Sequence, residues 1–149
     1  MAKLKGFGDW IEIFKGGKQI DKNGIERDGD WLIDRAMEAF NPSYHEPPLV
    51  IGHPKHDDPA YGWVKELQTK VVGGVKRLYA RFRDVVPEFE QIVKDGRYKK
   101  RSAAFYSDGR LRHVGWLGAM PPGVKGLADV AFDEEGEEVI AFEFSEASP

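Results

Sequence analysis

The chain has 149 residues, 22 of them basic and 25 acidic, for a net charge of −3, and it contains no cysteine. That balance argues against bulk nucleic-acid binding, although a local basic patch stays open, and the missing cysteines exclude a disulfide framework, a thiolate nucleophile and cysteine-ligated zinc. No apolar run approaches the ~20 residues of a membrane span, and the amino terminus lacks a signal-peptide h-region. The expectation is one soluble intracellular domain over residues 1–149, able to bury roughly 68–70% of its unfolded surface.

Trp10 to Phe14 reads as a short strand, and Gly16-Gly17 and Asn23-Gly24 mark turns in a polar connection. A helix follows, capped by Asp30, with Ile33, Ala36, Met37 and Phe40 recurring at helical spacing and Asn41-Pro42 ending it. Leu49-Val50-Ile51 fits a buried strand that delivers Gly52-His53 at its end, and Pro54 to Pro59 is loop. Trp63 to Thr69 and Val75 to Phe82 form a hairpin around Gly73-Gly74, with Leu78, Ala80 and Phe82 on one face and Tyr79 and Arg81 on the other. Pro87 opens a second helix with Phe89, Ile92 and Val93 as its apolar stripe and Gly96 as its stop. Beyond the next hairpin, Pro121-Pro122-Gly123 forces irregular backbone. Val124 to Leu127 suits a helical turn, the acidic stretch from Asp133 a surface segment, and Val139 to Phe144 a last strand. The order β-α-β-β-β-α-β-β-β gives an α+β fold, a small mostly antiparallel β-barrel or curved sheet with helices packed outside.

The hairpin from Lys99 to Leu117 places a serine and a histidine together. Asp108-Gly109 between two alternating segments is a strong two-residue turn signal, because both loop positions then need positive φ. Ser107 then pairs with Arg110, Ala104 with His113 and Ser102 with Gly115. Alternation puts Ser102, Ala104 and Tyr106 on one face with Leu111, His113 and Gly115. Ser102 and His113 stand diagonally, their Cα atoms about 7–8 Å apart, which leaves room for a third side chain between them. Ser107 is a rival nucleophile but points to the opposite face.

A serine nucleophile needs a base within hydrogen-bond reach and a third group to orient that base. Among His45, His53, His56 and His113, His53 is best placed, where a buried strand opens into a loop; the competing reading is a histidine that merely caps the strand. His53, His56, Asp57 and Asp58 could instead hold a divalent metal, but Pro54 disfavours a helical ligand pair and Lys55 sets a cation among the ligands. No metal or cofactor is therefore assigned. Arg97, Lys99, Lys100 and Arg101 form a basic run that could steer an acidic partner or lie solvated on the surface.

Four stretches carry a resemblance: Gly52-His53-Pro54, Ala60 to Val64, Gly96 to Phe105, and His113 to Pro122. Together, over residues 45–128, they resemble the protease part of Mu-like phage I proteins and, more distantly, tailed-phage prohead proteases and herpesvirus assemblins. The resemblance implies an assemblin-like fold and a serine endopeptidase of capsid maturation. Such an enzyme works in the host cytoplasm inside the phage procapsid, cleaving scaffold protein, sometimes major capsid protein, and itself. It carries over the family serine to Ser102, the base to His53 and the third member to His113, a position many phage relatives fill with glutamate. Assemblins build the oxyanion hole after the third member with an arginine pair. Pro121-Pro122 stand in that region here and offer no N–H, leaving Gly118 and Ala119 as the candidate donors. Assemblins also act as dimers, so a homodimer is a partner arrangement the resemblance raises; neither membrane nor specific nucleic acid is expected. The reading of a different class is a non-catalytic assembly module that binds scaffold through the basic run.

Overall fold

A computed structural model describes residues 7–52, 59–98, 100–117 and 139–145. Within these, the elements in chain order are β1 (Ile11–Lys15), β2 (Lys18–Ile20), β3 (Glu26–Asp28), α1 (Gly29–Ala39), β4 (Pro48–Ile51), β5 (Gly62–Val72), β6 (Val75–Arg83), α2 (Pro87–Lys94), β7 (Lys100–Tyr106), β8 (Leu111–Leu117) and β9 (Val139–Ser145). Seven strands form one sheet in the order β1-β6-β5-β4-β8-β7-β9, and β2 and β3 form a separate pair. All neighbours in the large sheet are antiparallel except β4 and β8, which run parallel. The fold is α+β, with a curled, mostly antiparallel sheet and two helices.

The curl is visible in what the β1 edge touches. Phe14 on β1 stacks its ring against Phe105 on β7 at 5.1 Å and Phe142 on β9 at 4.7 Å, across the concave side. Arg101 Nε, also from β7, donates to the Glu12 carbonyl on β1 at 3.0 Å. Inside the curl Trp116 is fully buried, ringed by Phe7, Phe82 and Phe89 at centroid distances of 5.1, 5.7 and 6.3 Å. These aromatic pairs meet mostly edge to face, the arrangement the ring quadrupole favours.

Several elements differ from the sequence expectation for local reasons. The N-cap of α1 is Asp28, whose carboxylate accepts from Trp31 N at 3.2 Å; Asp30 instead accepts from Gly17 N at 2.9 Å, tying the turn after β1 to the start of the helix. Leu32 joins Ile33 and Ala36 as a buried residue of α1. The expected polar connection contains the β2–β3 hairpin. Its turn is organised by the buried Asp21 carboxylate, which accepts from Asn23 N and Ile25 N at 2.9 Å and from Arg27 Nε at 3.0 Å. Lys22 N then donates to the Ala141 carbonyl at 2.8 Å, fastening this hairpin to β9.

The β5–β6 hairpin is as expected: Gly73 and Gly74 both have positive φ at the turn, and Leu78, Ala80 and Phe82 are buried. Helix α2 starts with Pro87 and ends in a Schellman motif, with Gly96 N donating to Val93 O and Arg97 N to Ile92 O. Ile92 is 40% exposed, however, so the buried stripe is Phe89 and Val93 alone. Among the described residues no helix is long and apolar enough to cross a membrane.

The basic run also divides. Arg101 is only 6% exposed, on the side of β7 that faces the core, with its guanidinium 5.9 Å from the Trp116 ring, while Arg97 lies exposed after α2. The two cannot act as one solvated cationic surface.

Between the end of α1, the 41–47 segment and the start of β8 lies a cleft of about 230 Å³ lined by Phe40, His45, Pro47, Arg110 and Leu111 among others. Burial, with the Arg110 charge beside it, pushes the His45 imidazole below its usual 6.5, against a smaller opposing pull from Glu46. The folded protein thus takes this proton at lower pH than the unfolded chain. Below about pH 6.5 the unfolded chain binds more protons, and stability falls with falling pH until His45 protonates in the folded state as well. His45→Gln is expected to flatten that part of the profile, as read by urea unfolding from pH 7.5 to 5; a slope unchanged by the substitution would contradict it.

Candidate active site

The β7–β8 ladder pairs Ser102 with Gly115 and Ala104 with His113, as the sequence register expected. It arrives there by a different route. Gly109 N donates to Tyr106 O and Tyr106 N to Arg110 O, at 2.9 and 2.8 Å, so the loop has three residues. Gly109 has φ +94°, whereas Asp84 is the one non-glycine residue with positive φ among the described residues, which excludes the expected left-handed Asp108. This is a type I turn closed by a glycine bulge. Asp108 serves the turn through its side chain, accepting from Arg110 N at 3.1 Å and Arg110 Nε at 2.8 Å.

That loop offsets the pairing by one, so Phe105 meets Leu111; a second bulge then leaves Arg112 extra and restores Ala104 to His113. The two one-residue shifts cancel before the ladder reaches Ser102. Leu111 is thereby removed from the serine face and joins the core cluster with Ala103, Phe105, Val114 and Trp116. Ser107 sits exposed in the loop.

The opposite face holds Ser102, Ala104, His113 and Gly115, joined by Val50 from β4 and Ala141 from β9. It is buried: Ser102 is 0% exposed and His113 5%. Ser102 Oγ has no hydrogen-bond partner among the described residues. Arg112 Nη1 approaches His113 Nδ1 at 3.4 Å, the neighbour that the bulge brings round.

Gly115 shapes the centre of this face. A Cβ there would lie 2.6 Å from the Gly52 carbonyl oxygen and 3.6 Å from Val50 Cγ2. The missing side chain lets the end of β4 close over the strand: Val50 pairs with Gly115, Ile51 with Trp116, and Gly52 N donates to Trp116 O at 2.8 Å. Gly52 turns the chain away with φ +68°, a conformation favouring glycine. Ser102 is the next residue across the sheet from Gly115.

His53 itself, His56, Asp57, Asp58, Gly118, Ala119, Pro121 and Pro122 lie outside the described residues. Ser102 and His113 are brought to one face at the expected diagonal, and the backbone preceding His53 reaches Gly115. One position the sequence reading did not place is Glu143, which the β7–β9 register sets opposite Ser102. The last strand was legible in its alternation, but nothing local told which strand it would pair with.

No protein-family model matches the chain, and comparisons with curated proteins and with solved structures return no match.

The Gly115 approach makes a direct prediction. Gly115→Ala places a methyl against a backbone carbonyl that cannot rotate away, and is expected to cost about 1–3 kcal/mol of stability, as overpacking does elsewhere. Urea titration checks it, and an unchanged midpoint would contradict the close approach.

Proposed function

We propose that the chain is a serine endopeptidase of phage procapsid maturation, with an assemblin-like arrangement on its curled sheet. Its substrates are scaffold protein, major capsid protein and its own chain, inside the procapsid in the host cytoplasm. The observation that carries the reading is the Ser102 hydroxyl. A buried hydroxyl without a partner forfeits about 1–3 kcal/mol, and natural structures keep few such groups without a use for them. Support comes from its surroundings: His113 on the same face, and a glycine-lined approach from the strand end that carries His53.

In this reading the His53 imidazole takes the Ser102 proton as Oγ attacks a scissile carbonyl, and returns it to the leaving amine. His113 orients His53 and spreads its charge. A neutral histidine is a weaker electrostatic partner than a carboxylate, so turnover is slow, which suits a single assembly event. Backbone N–H groups at Gly118 and Ala119 are the oxyanion donors of this proposal, since Pro121 and Pro122 have none to give. Because Ser102 is wholly covered, a substrate reaches Oγ only once that face opens.

The non-catalytic module has less behind it. Its basic run includes Arg101, which is buried and donates to the Glu12 carbonyl.

Ser102→Ala is expected to keep the fold, with a melting temperature little changed because the hydroxyl has no partner among the described residues, and to abolish cleavage of scaffold and of the chain itself. Undiminished cleavage by that variant would sink the assignment. His113→Ala is expected to lose roughly 10²–10⁴-fold in rate, as removal of an orienting group does in other triads. Full activity there would hand the third role to a carboxylate.

A further inference from the structure

The cleft between the end of α1 and the start of β8 combines an apolar lining with a polar lining of one kind. Ala36, Pro47 and Leu111, all buried, and Phe40, packed against the core, supply the apolar part. Tyr44, 85% exposed, leaves an aromatic ring uncovered at the rim. Among the described residues that line the cleft none is a carboxylate, whereas Arg110 brings a cation and Asn41 an amide.

Both of these donors are held in place. Arg110 Nε donates to Asp108 at 2.8 Å and its guanidinium lies 4.5 Å from the Tyr106 ring centroid, which braces the side chain; its two Nη groups have no hydrogen-bond partner among the described residues. Asn41 Oδ1 accepts from Ser43 N at 3.1 Å, which fixes the orientation of the amide and leaves its NH2 as a donor without a partner among the described residues. The Arg110 charge is felt across the cleft, where it adds to burial in holding the His45 imidazole below its usual 6.5. The C-terminal end of α1 favours a cation, but the helix has no basic residue in its last turn and Arg110 meets that preference itself. What remains unanswered in the cleft is an acceptor of negative charge. Size narrows the choice further: an apolar cavity of about 150 Å³ holds a benzene ring, so about 230 Å³ takes one ring with a short polar substituent.

We propose that this cleft binds a small aromatic carboxylate, with its ring on the apolar lining and its carboxylate on the Arg110 guanidinium and the Asn41 amide. Burial of the ring supplies the hydrophobic part of the affinity, and the charge-assisted hydrogen bonds orient the ligand. The carboxylate is that of a free acid or of the terminal aromatic residue of a peptide. The inference is independent of the catalytic reading, and none of its residues belongs to the proposed triad.

The test is a titration of the full chain followed by two-dimensional amide NMR, whose peak dispersion also reports folding of each variant. Phenylacetate is expected to bind saturably in the millimolar range or tighter, an ordinary affinity for a ligand of this size, with shifts concentrated at residues 36–47 and 110–111. Phenylacetamide, which has the same shape without the charge, and acetate, which has the charge without the ring, are each expected to bind about tenfold more weakly or worse. Arg110→Gln is expected to weaken phenylacetate about tenfold and to leave phenylacetamide unchanged. Ala39→Leu, which fills the cleft, is expected to weaken both, and Arg97→Gln, an equal loss of charge on an exposed residue outside the cleft, to change neither. A short peptide ending in phenylalanine, set against phenylacetate, separates the two sources, the tighter binder naming the one. Should Arg110→Gln not fold, the comparison of phenylacetate with phenylacetamide on the parent chain decides. No saturable binding of phenylacetate, equal affinity for those two ligands, shifts centred outside the cleft, or full affinity in a folded Arg110→Gln variant would each overturn the proposal.

Discussion

The structure depends on how closely β4 lies against β8. This is the one parallel pair in an otherwise antiparallel sheet, and it joins the β1-β6-β5 half to the β8-β7-β9 half. The join is short, three residues by register, and the hydrogen bond from Gly52 N to Trp116 O closes it. Gly115 makes the closure sterically allowed. The same contact faces both sides of the sheet. On the concave side it sets Trp116 among Phe7, Phe82 and Phe89; on the other it brings the backbone before His53 to within one strand of Ser102. A single constraint thus serves the core and the candidate site.

The two faces of β7 and β8 carry different kinds of burial. Ala103, Phe105, Val114 and Trp116 bury apolar surface, where removal from water is itself the driving force. Ser102 and His113 bury polar groups, which costs free energy unless they are hydrogen-bonded. Small residues flank them, with Ala104, Ala141 and Gly115 keeping the face shallow. Arg101 shows the reverse: a charge at the core side, accommodated because its guanidinium donates to a backbone carbonyl and lies near the Trp116 ring.

Much of this was legible where the signal is local. Alternation marked β5, β6, β7 and β8, Gly73-Gly74 marked their turn, and Pro87 with Gly96 bracketed α2. The pairing of Ser102 with Gly115 and of Ala104 with His113 follows from the sequence register although the Asp108-Gly109 turn is of another type and Leu111 lies on the core face, because the glycine bulge and the Arg112 bulge offset each other. Had only one been present, Ser102 and His113 would have stood on opposite faces. What the sequence leaves open is partly a choice between neighbouring side chains and partly non-local. The Asp28 cap was obscured by Asp30 two residues on, and the β2–β3 hairpin depends on hydrogen bonds to Asp21 that composition does not announce. The pairing of β9 with β7, which sets Glu143 opposite Ser102, joins segments some forty residues apart. Arg101 looked like part of a surface run because its neighbours are charged; strand alternation was the available cue that it faces inward while Ser102 faces the other way.

In the proposed mechanism Ser102 is a nucleophile activated by His53. Incubation with a serine-reactive organophosphonate, followed by peptide mass spectrometry, reads both roles at once. One adduct is expected, on Ser102, lost in Ser102→Ala and strongly slowed in His53→Ala. An absent adduct on Ser102, or labelling at an undiminished rate without His53, would rule the mechanism out.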